Sequence, residues 1–290
     1  AWLVAQFEFP GRRWIEWLLV LPMAMPAYIM AYSYADFFQY AGPLQTAMRE
    51  VFGWQSRADY FFPEIRSLPG AILILSLSLY PYVYVLARVA FLEQPQSMVE
   101  AARVAGLGKL SAFWRVALPI ARPAIVAGAA LAAMEALAEF GTVSYFGIST
   151  LTTGVFKAWF AQGDLALASR LGLTLLVFAV LALGIERASR SRARFDHSTS
   201  RLKSRSQLFS GKRWIAFVVC ALPCVAGFFF PVALLIRLGY RAQAAVETGF
   251  VDLALNSAFL ALVAALLTAA CAVVLSYAAR KGDLVISLMN

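Results

Sequence analysis

Six apolar runs divide this chain, at about residues 14–40, 66–92, 122–146, 168–186, 214–238 and 254–279. Each comes near or exceeds the roughly 20 residues that an α-helix needs to cross the hydrocarbon core of a bilayer. A membrane strand needs only about ten residues and alternates apolar with polar positions, which these runs do not do. The pattern therefore predicts an all-α integral membrane protein, a polytopic helical bundle. One stretch stands apart: residues 97–119, SMVEAARVAGLGKLSAFWRVALP, are too polar to span and sit between the second and third runs.

Polar positions inside the runs mark where a path could lie. In the first run Pro22 and Pro26 each remove a backbone donor and predict a kink, and in lipid the freed carbonyls need protein or water partners. The second half of that run, YIMAYSYADFFQY, sets Tyr28, Tyr32 and Asp36 at i, i+4 spacing on one helix face. Pro81 predicts a further kink in the second run. In the third run Glu135 and Glu139 repeat the i, i+4 spacing, roughly 20 and 25 Å along a helix counted from Arg122. Ionisable groups at such depth are costly and face a cavity or a partner. Tyr28, Tyr32, Asp36, Glu135 and Glu139 are thus the candidate lining of a polar path. Polar packing between helices is an equal alternative for the two glutamates, and an interfacial aromatic belt is the alternative for the tyrosines.

The polar stretch has helix punctuation of its own. Ser97 and Glu100 have capping-box spacing, and Gly106 suits a helix C-terminus that requires a left-handed residue. A second short helix is expected over about 110–117, stopped before Pro119, with Pro123 in the first turn of the next membrane helix.

Composition agrees with the membrane reading, since 61% of residues are hydrophobic and only 14% charged. A formal charge of +9 invites a nucleic-acid reading, but its distribution argues against one. Basic residues gather in alternate loops, at Arg12 and Arg13, at Arg103, Lys109, Arg115 and Arg122, from Arg187 to Arg213, and at Arg280 and Lys281. That alternation keeps step with all six runs and places these loops on the cytoplasmic side. The three cysteines, Cys220, Cys224 and Cys271, lie in apolar runs and read as packing residues, and the one histidine, His197, as a solvated loop residue. No metal-ligand spacing is present. Neither Gly108-Lys109 nor Gly211-Lys212 has the preceding glycine of a phosphate loop, and no nucleophile constellation appears, so no catalytic residues are expected in this chain.

The opening AWLVAQFEFPGRRWIEWLLV and the closing VLSYAARKGDLVISLMN share small apolar residues, a basic turn and a further apolar run. The expected organisation is a first transmembrane domain over 1–190 lacking its N-terminal part, a basic linker over 191–213, and the start of a second domain over 214–290.

Glu100-Ala101-Ala102, then Gly106, then Val116-Ala117-Leu118-Pro119 resembles the EAA loop of binding-protein-dependent ABC import permeases, where an aliphatic residue, often Ile, stands at the position of Val116. The resemblance implies a helical bundle of the ABC type I importer permease kind in a bacterial inner membrane. It also implies that Glu100, Ala101, Ala102, Gly106, Val116, Leu118 and Pro119 belong to a coupling segment that docks on a cytoplasmic ABC ATPase dimer. ATP and Mg would then bind that partner, with no cofactor on this chain, and a periplasmic substrate-binding protein would deliver cargo. Residues 21–49 and 139–160 are similar to ferric-iron import permeases, which fuse two membrane-domain copies. Ferric ion is a hard acceptor that favours carboxylate and phenolate oxygens, which the candidate path supplies. Thiamine, polyamine and phosphonate permeases share the scaffold, and a secondary transporter using the membrane carboxylates as proton relays is the alternative of another class.

Overall fold

The computed structural model describes residues 1–94, 104, 106, 108–190, 206–207, 211–242 and 249–280. Glu100, Ala101 and Ala102, with the Ser97 cap, His197 and most of the basic linker, lie outside the described residues. The chain forms two compact units, Ala1–Ile236 and Arg237–Asn290.

The first unit opens with α1 (Trp2–Gln6) and α2 (Arg12–Leu18), joined through Gly11 in the left-handed conformation at φ 72°. A short 3-10 turn, Leu21–Ala24, carries Pro22, and Pro26 stands at the N-cap of α3 (Ala27–Phe38); α4 (Pro43–Phe52) follows. The kink expected from the two prolines is a full break, because Arg12–Ala24 and Ala27–Phe52 meet at 92°. Two closely spaced residues without an N–H leave too few backbone bonds to carry one helix through.

The long helices are α5 (Leu68–Glu93), α6 (Phe113–Ala138), α9 (Leu165–Arg190) and α10 (Gly211–Tyr240), with the short α7 (Gly141–Tyr145) and α8 (Leu151–Phe156) between α6 and α9. In the second unit α11 (Phe250–Arg280) is predominantly apolar, with Asp252 in its first turn. Among the described residues five helices are long and apolar enough to cross a membrane, or six when the bent pair counts as one. Extended pairing is limited there to a two-residue parallel bridge between Phe7–Glu8 and Ser206–Gln207.

Three apolar clusters hold the first unit together. Val4, Ile15, Leu19 and Tyr84 pack with Ala216, Cys220 and Cys224; Met30, Ala31, Tyr34 and Ala35 pack with Ile74 and Phe146; Ala5, Ala87 and Phe91 pack with Ala117 and Ala121. The helix beginning at Gly211 contributes Ala216, Cys220 and Cys224 to the first of these clusters.

Helices α5 and α6 cross at a glycine. A methyl group on Gly128 would sit 2.6 Å from Val83 Cα and 2.9 Å from the Tyr82 carbonyl oxygen, so backbone faces backbone there. Small residues are what let membrane helices approach this closely. Gly128→Ala is expected to lower unfolding stability in detergent by about 1–3 kcal/mol through overpacking. A substitution at the exposed Ala129 of the same helix should be nearly neutral. Equal stability of the two variants would refute the close crossing.

Two expectations about the third run are corrected. Helical structure does not stop before Pro119: Lys109–Ala112 runs into a π-turn, Phe113–Ala117, and then into Leu118–Ala138. The Leu118 N–H bonds the Phe113 carbonyl, five residues back, which makes room for a proline at the next position. The helix also ends at Ala138 instead of reaching 146, and Glu139 is extended.

A similar device sits in α10, where the π-turn Val225–Phe229 precedes Pro231. There the Phe230 N–H bonds Val225, so Ala226 loses its α-helical donor, and in the wider register its donor would be Pro231, which has no N–H. The Tyr34 hydroxyl takes that place, donating to the Ala226 carbonyl at 2.6 Å. This bond ties α3 to α10 and satisfies a carbonyl that lipid could not.

Candidate functional site

The residues read as path lining fall into three groups. Tyr28 and Tyr32 stand one turn apart on α3, and both rings meet Tyr145 of α7, at centroid distances of 5.7 and 5.9 Å. Gly141 permits this approach, because a methyl group there would lie 2.9 Å from Tyr28 Cβ. Glu139 belongs to the same corner. Its Oε1 accepts the Thr142 N–H at 2.7 Å, so the carboxylate caps the first turn of α7. Thr142 itself is fully buried, and its hydroxyl has no hydrogen-bond partner among the described residues.

Glu135 lies elsewhere. Because α6 ends at Ala138, Glu135 and Glu139 are not an i, i+4 pair on one helix; Glu135 is exposed and interacts with the Tyr82 hydroxyl of α5. Asp36 is half-buried in the last turn of α3, beside the reversal at Gly42, where a methyl group would stand 2.5 Å from the Asp36 carbonyl oxygen. The three carboxylates do not gather: among the described residues no group of three His, Cys, Asp or Glu side chains could hold a metal ion. What comes together is a tyrosine corner with one capping carboxylate.

Sequence reasoning missed Tyr145 and Arg66, which complete this corner. Arg66 Nη2 donates to the Tyr145 hydroxyl at 2.9 Å, and its guanidinium lies 4.8 Å from the ring centroid. Their separation of 79 residues leaves no local signal. On the other side of Arg66 the chain encloses a pocket of about 320 Å³ between the end of α3 and residues 57–66. The turn Arg57–Asp59 that borders it is held by a capping box. The N–H groups of Ser56 and Gln55 bond the Asp59 carboxylate at 2.7 and 2.8 Å and hold its pKa below the usual carboxylate range. Such a depressed group stabilises the turn above its unfolded pKa, and this contribution is lost as pH falls through the folded value.

At the far end of α5 lies a second polar cluster. Arg12, one of the basic residues that mark the cytoplasmic loops, has a side chain only 7% exposed, held by Glu8 at 3.2 Å and Glu16 at 2.9 Å. Arg88, near the end of α5, pairs with the same Glu16. The i, i+4 spacing of Glu8, Arg12 and Glu16 was the available signal.

Within residues 97–119, Gly106 adopts φ 80°, the left-handed backbone expected of it, and among the described residues no atom lies within 4 Å of where a Cβ would stand. Val116 lies within the π-turn, and Leu118 and Pro119 open the continuous helix that follows. Gln94 anchors this end of α6, donating from Nε2 to the Ala117 carbonyl at 2.7 Å.

Residues 1–195 match the family of binding-protein-dependent transport system inner membrane components. The chain is 26% identical over 288 residues to the Fe(3+)-transport system permease protein FbpB 2 of Haemophilus influenzae, covering 97% of this chain and 52% of that one. It is 26% identical over 203 residues to the molybdenum transport system permease protein ModB of Escherichia coli, covering 67% and 85%. Against the sulfate transport system permease protein CysW of Escherichia coli it is 33% identical over 144 residues, covering 50% and 46%. The chain thus spans about half the length of the ferric-iron and sulfate permeases it matches.

Proposed function

The chain belongs to the family of binding-protein-dependent transport system inner membrane components, and on that premise we propose that it is the membrane-spanning permease of an ATP-driven importer whose cargo is ferric iron. Its all-helical, multi-spanning build is that of a type I importer permease. The observation that carries the cargo reading is the match to a ferric-iron permease along 97% of this chain. A periplasmic binding protein delivers the cargo to the outer loops, an ABC ATPase dimer engages residues 97–119 in the cytoplasm, and this chain supplies the path and no hydrolytic site.

The tyrosine corner supports a role in that path. Tyr28, Tyr32 and Tyr145 place three phenol groups beside Glu139 where α3 meets α7, and hard oxygen donors suit ferric ion or the ligands around it. Molybdenum and sulfate permeases among the relatives favour a second reading, in which the cargo is an oxyanion.

Proteoliposomes holding this chain with its ATPase separate the readings. ATP-dependent uptake is expected with a binding protein loaded with ferric iron and not with one loaded with sulfate, molybdate, thiamine or a polyamine. Success of another cargo where ferric iron fails would overturn the cargo assignment. Uptake that persisted without ATP under an imposed ion gradient would overturn the importer itself.

A further inference from the structure

The pocket at the outer end of α3 is built with a charge that the tyrosine corner alone does not reveal. Its walls are Phe38, Phe62 and the buried Gln45, and Arg57, Glu64 and Arg66 stand at its rim. Gln45 is fully engaged in shaping the wall: its Nε2 donates to the Phe38 carbonyl at 2.7 Å, and its Oε1 accepts from the Tyr60 hydroxyl at 2.7 Å. Arg57 and Glu64 are loosely paired at 3.6 Å, and each side chain is 63% exposed, so water screens most of their attraction. Two guanidinium groups against one carboxylate leave the rim positive. Arg66 also reaches Tyr145, and Tyr145 touches Tyr28 and Tyr32, so one continuous set of contacts leads from the pocket to the candidate path.

A bare trivalent cation approaching by this route would meet a guanidinium just before the phenols, and like charges at close range repel strongly even near a protein surface. An anion meets the opposite. A guanidinium fork bonds carboxylate and oxyanion oxygens two at a time, and its weak hydration makes it suited to such contacts.

We propose that this pocket is an anion site, Arg57 and Arg66 its charged ligands, and that cargo passes it as an oxygen-rich anion. The anion is either a tetrahedral oxyanion or a ferric ion enclosed in an anionic oxygen-donor chelate, never the bare cation. This rests on the reading of the chain as an importer permease and specifies the form its cargo takes. Arg66 has the larger part, since it alone of the rim residues contacts the tyrosine corner among the described residues.

Equilibrium dialysis of the detergent-solubilised complex of this chain with its ATPase tests the site directly. Labelled sulfate, molybdate and ferric citrate are the probes, and the arm that saturates identifies the source of the anion. Saturable binding of at least one probe is expected, weakened about tenfold or more by Arg66→Gln and several-fold by Arg57→Gln, as loss of a charge-assisted bond requires. Arg66→Lys, which keeps the charge and loses the fork, is expected to bind more weakly than the parent and more tightly than Arg66→Gln. Absence of saturable binding for every probe overturns the proposal, and so does equal binding by the parent and both glutamine variants. Loss in Arg66→Lys as complete as in Arg66→Gln also overturns it, because the residue would then serve Tyr145 and not an anion. ATP-driven uptake measured on the same preparations keeps the two readings apart: uptake without anion binding removes the anion site alone, and no ATP-driven uptake of any cargo removes the permease reading beneath it.

Discussion

ATP-driven uptake is expected to fall to background when Glu100 is replaced by alanine or Gly106 by valine, with the chain still inserting in the membrane at the parent level. The two substitutions act by different routes. Glu100 is the one acid in the EAA triplet, and in the proposed docking on the ATPase it would offer a charge to a basic surface, so Glu100→Ala is expected to remove a contact between subunits. Gly106 stands at φ 80°, and among the described residues no atom lies within 4 Å of where a Cβ would stand. The penalty is conformational: left-handed backbone costs a residue with a Cβ about 1–2 kcal/mol, and more for a β-branched one. That is enough to depopulate the bend about tenfold. ATP hydrolysis and uptake are to be measured together in proteoliposomes. Uncoupling, in which hydrolysis persists and uptake is lost, is the expected signature. Undiminished uptake in both variants would remove residues 97–119 from the coupling role.

Much of this architecture was legible because membrane helices are long and their signals are redundant. Run length, absence of alternation and the in-step alternation of basic loops each pointed to the same spans, and the structure has long helices at five of the six runs. The first run was legible only in part. Its prolines announced a disturbance, but a kink and a 92° break share one sequence signal, and what decides between them is packing against α5, α7 and α10. The end of α6 was also misplaced. Ala136, Leu137 and Ala138 favour continued helix, and Gly141 comes too late to mark the stop, whereas in the fold Glu139 turns aside to cap α7. The tyrosine corner was half legible: α3 periodicity found Tyr28 and Tyr32, but Tyr145 and Arg66 join them only through tertiary packing.

The charge cluster at the other end of α5 shows how similar sequence signals conceal different energetics, and its variants should separate accordingly. Two arginines and two glutamates meet there, but not symmetrically. Glu16, 17% exposed, is shared between Arg12 and Arg88, and its backbone carbonyl accepts from the Tyr84 hydroxyl at 3.1 Å. Glu8 is 45% exposed and touches the cluster from its edge through Arg12. Glu16→Gln leaves two largely buried guanidinium groups facing each other without their common carboxylate, and a cost of about 3–5 kcal/mol is expected. Arg12→Met preserves the volume and leaves Glu16 paired one-to-one with Arg88, so about 1–2 kcal/mol is expected, most of it from the lost bond to the Val4 carbonyl and from packing. Glu8→Gln removes a solvent-screened partner and should cost less than about 1 kcal/mol. Unfolding in detergent at two salt concentrations gives the order, with only the Glu8 contribution expected to fade at high salt. If Glu8→Gln matched Glu16→Gln, the cluster would be an ordinary surface network. The predicted order requires instead that Glu16 be the central carboxylate on which α2 and α5 are joined.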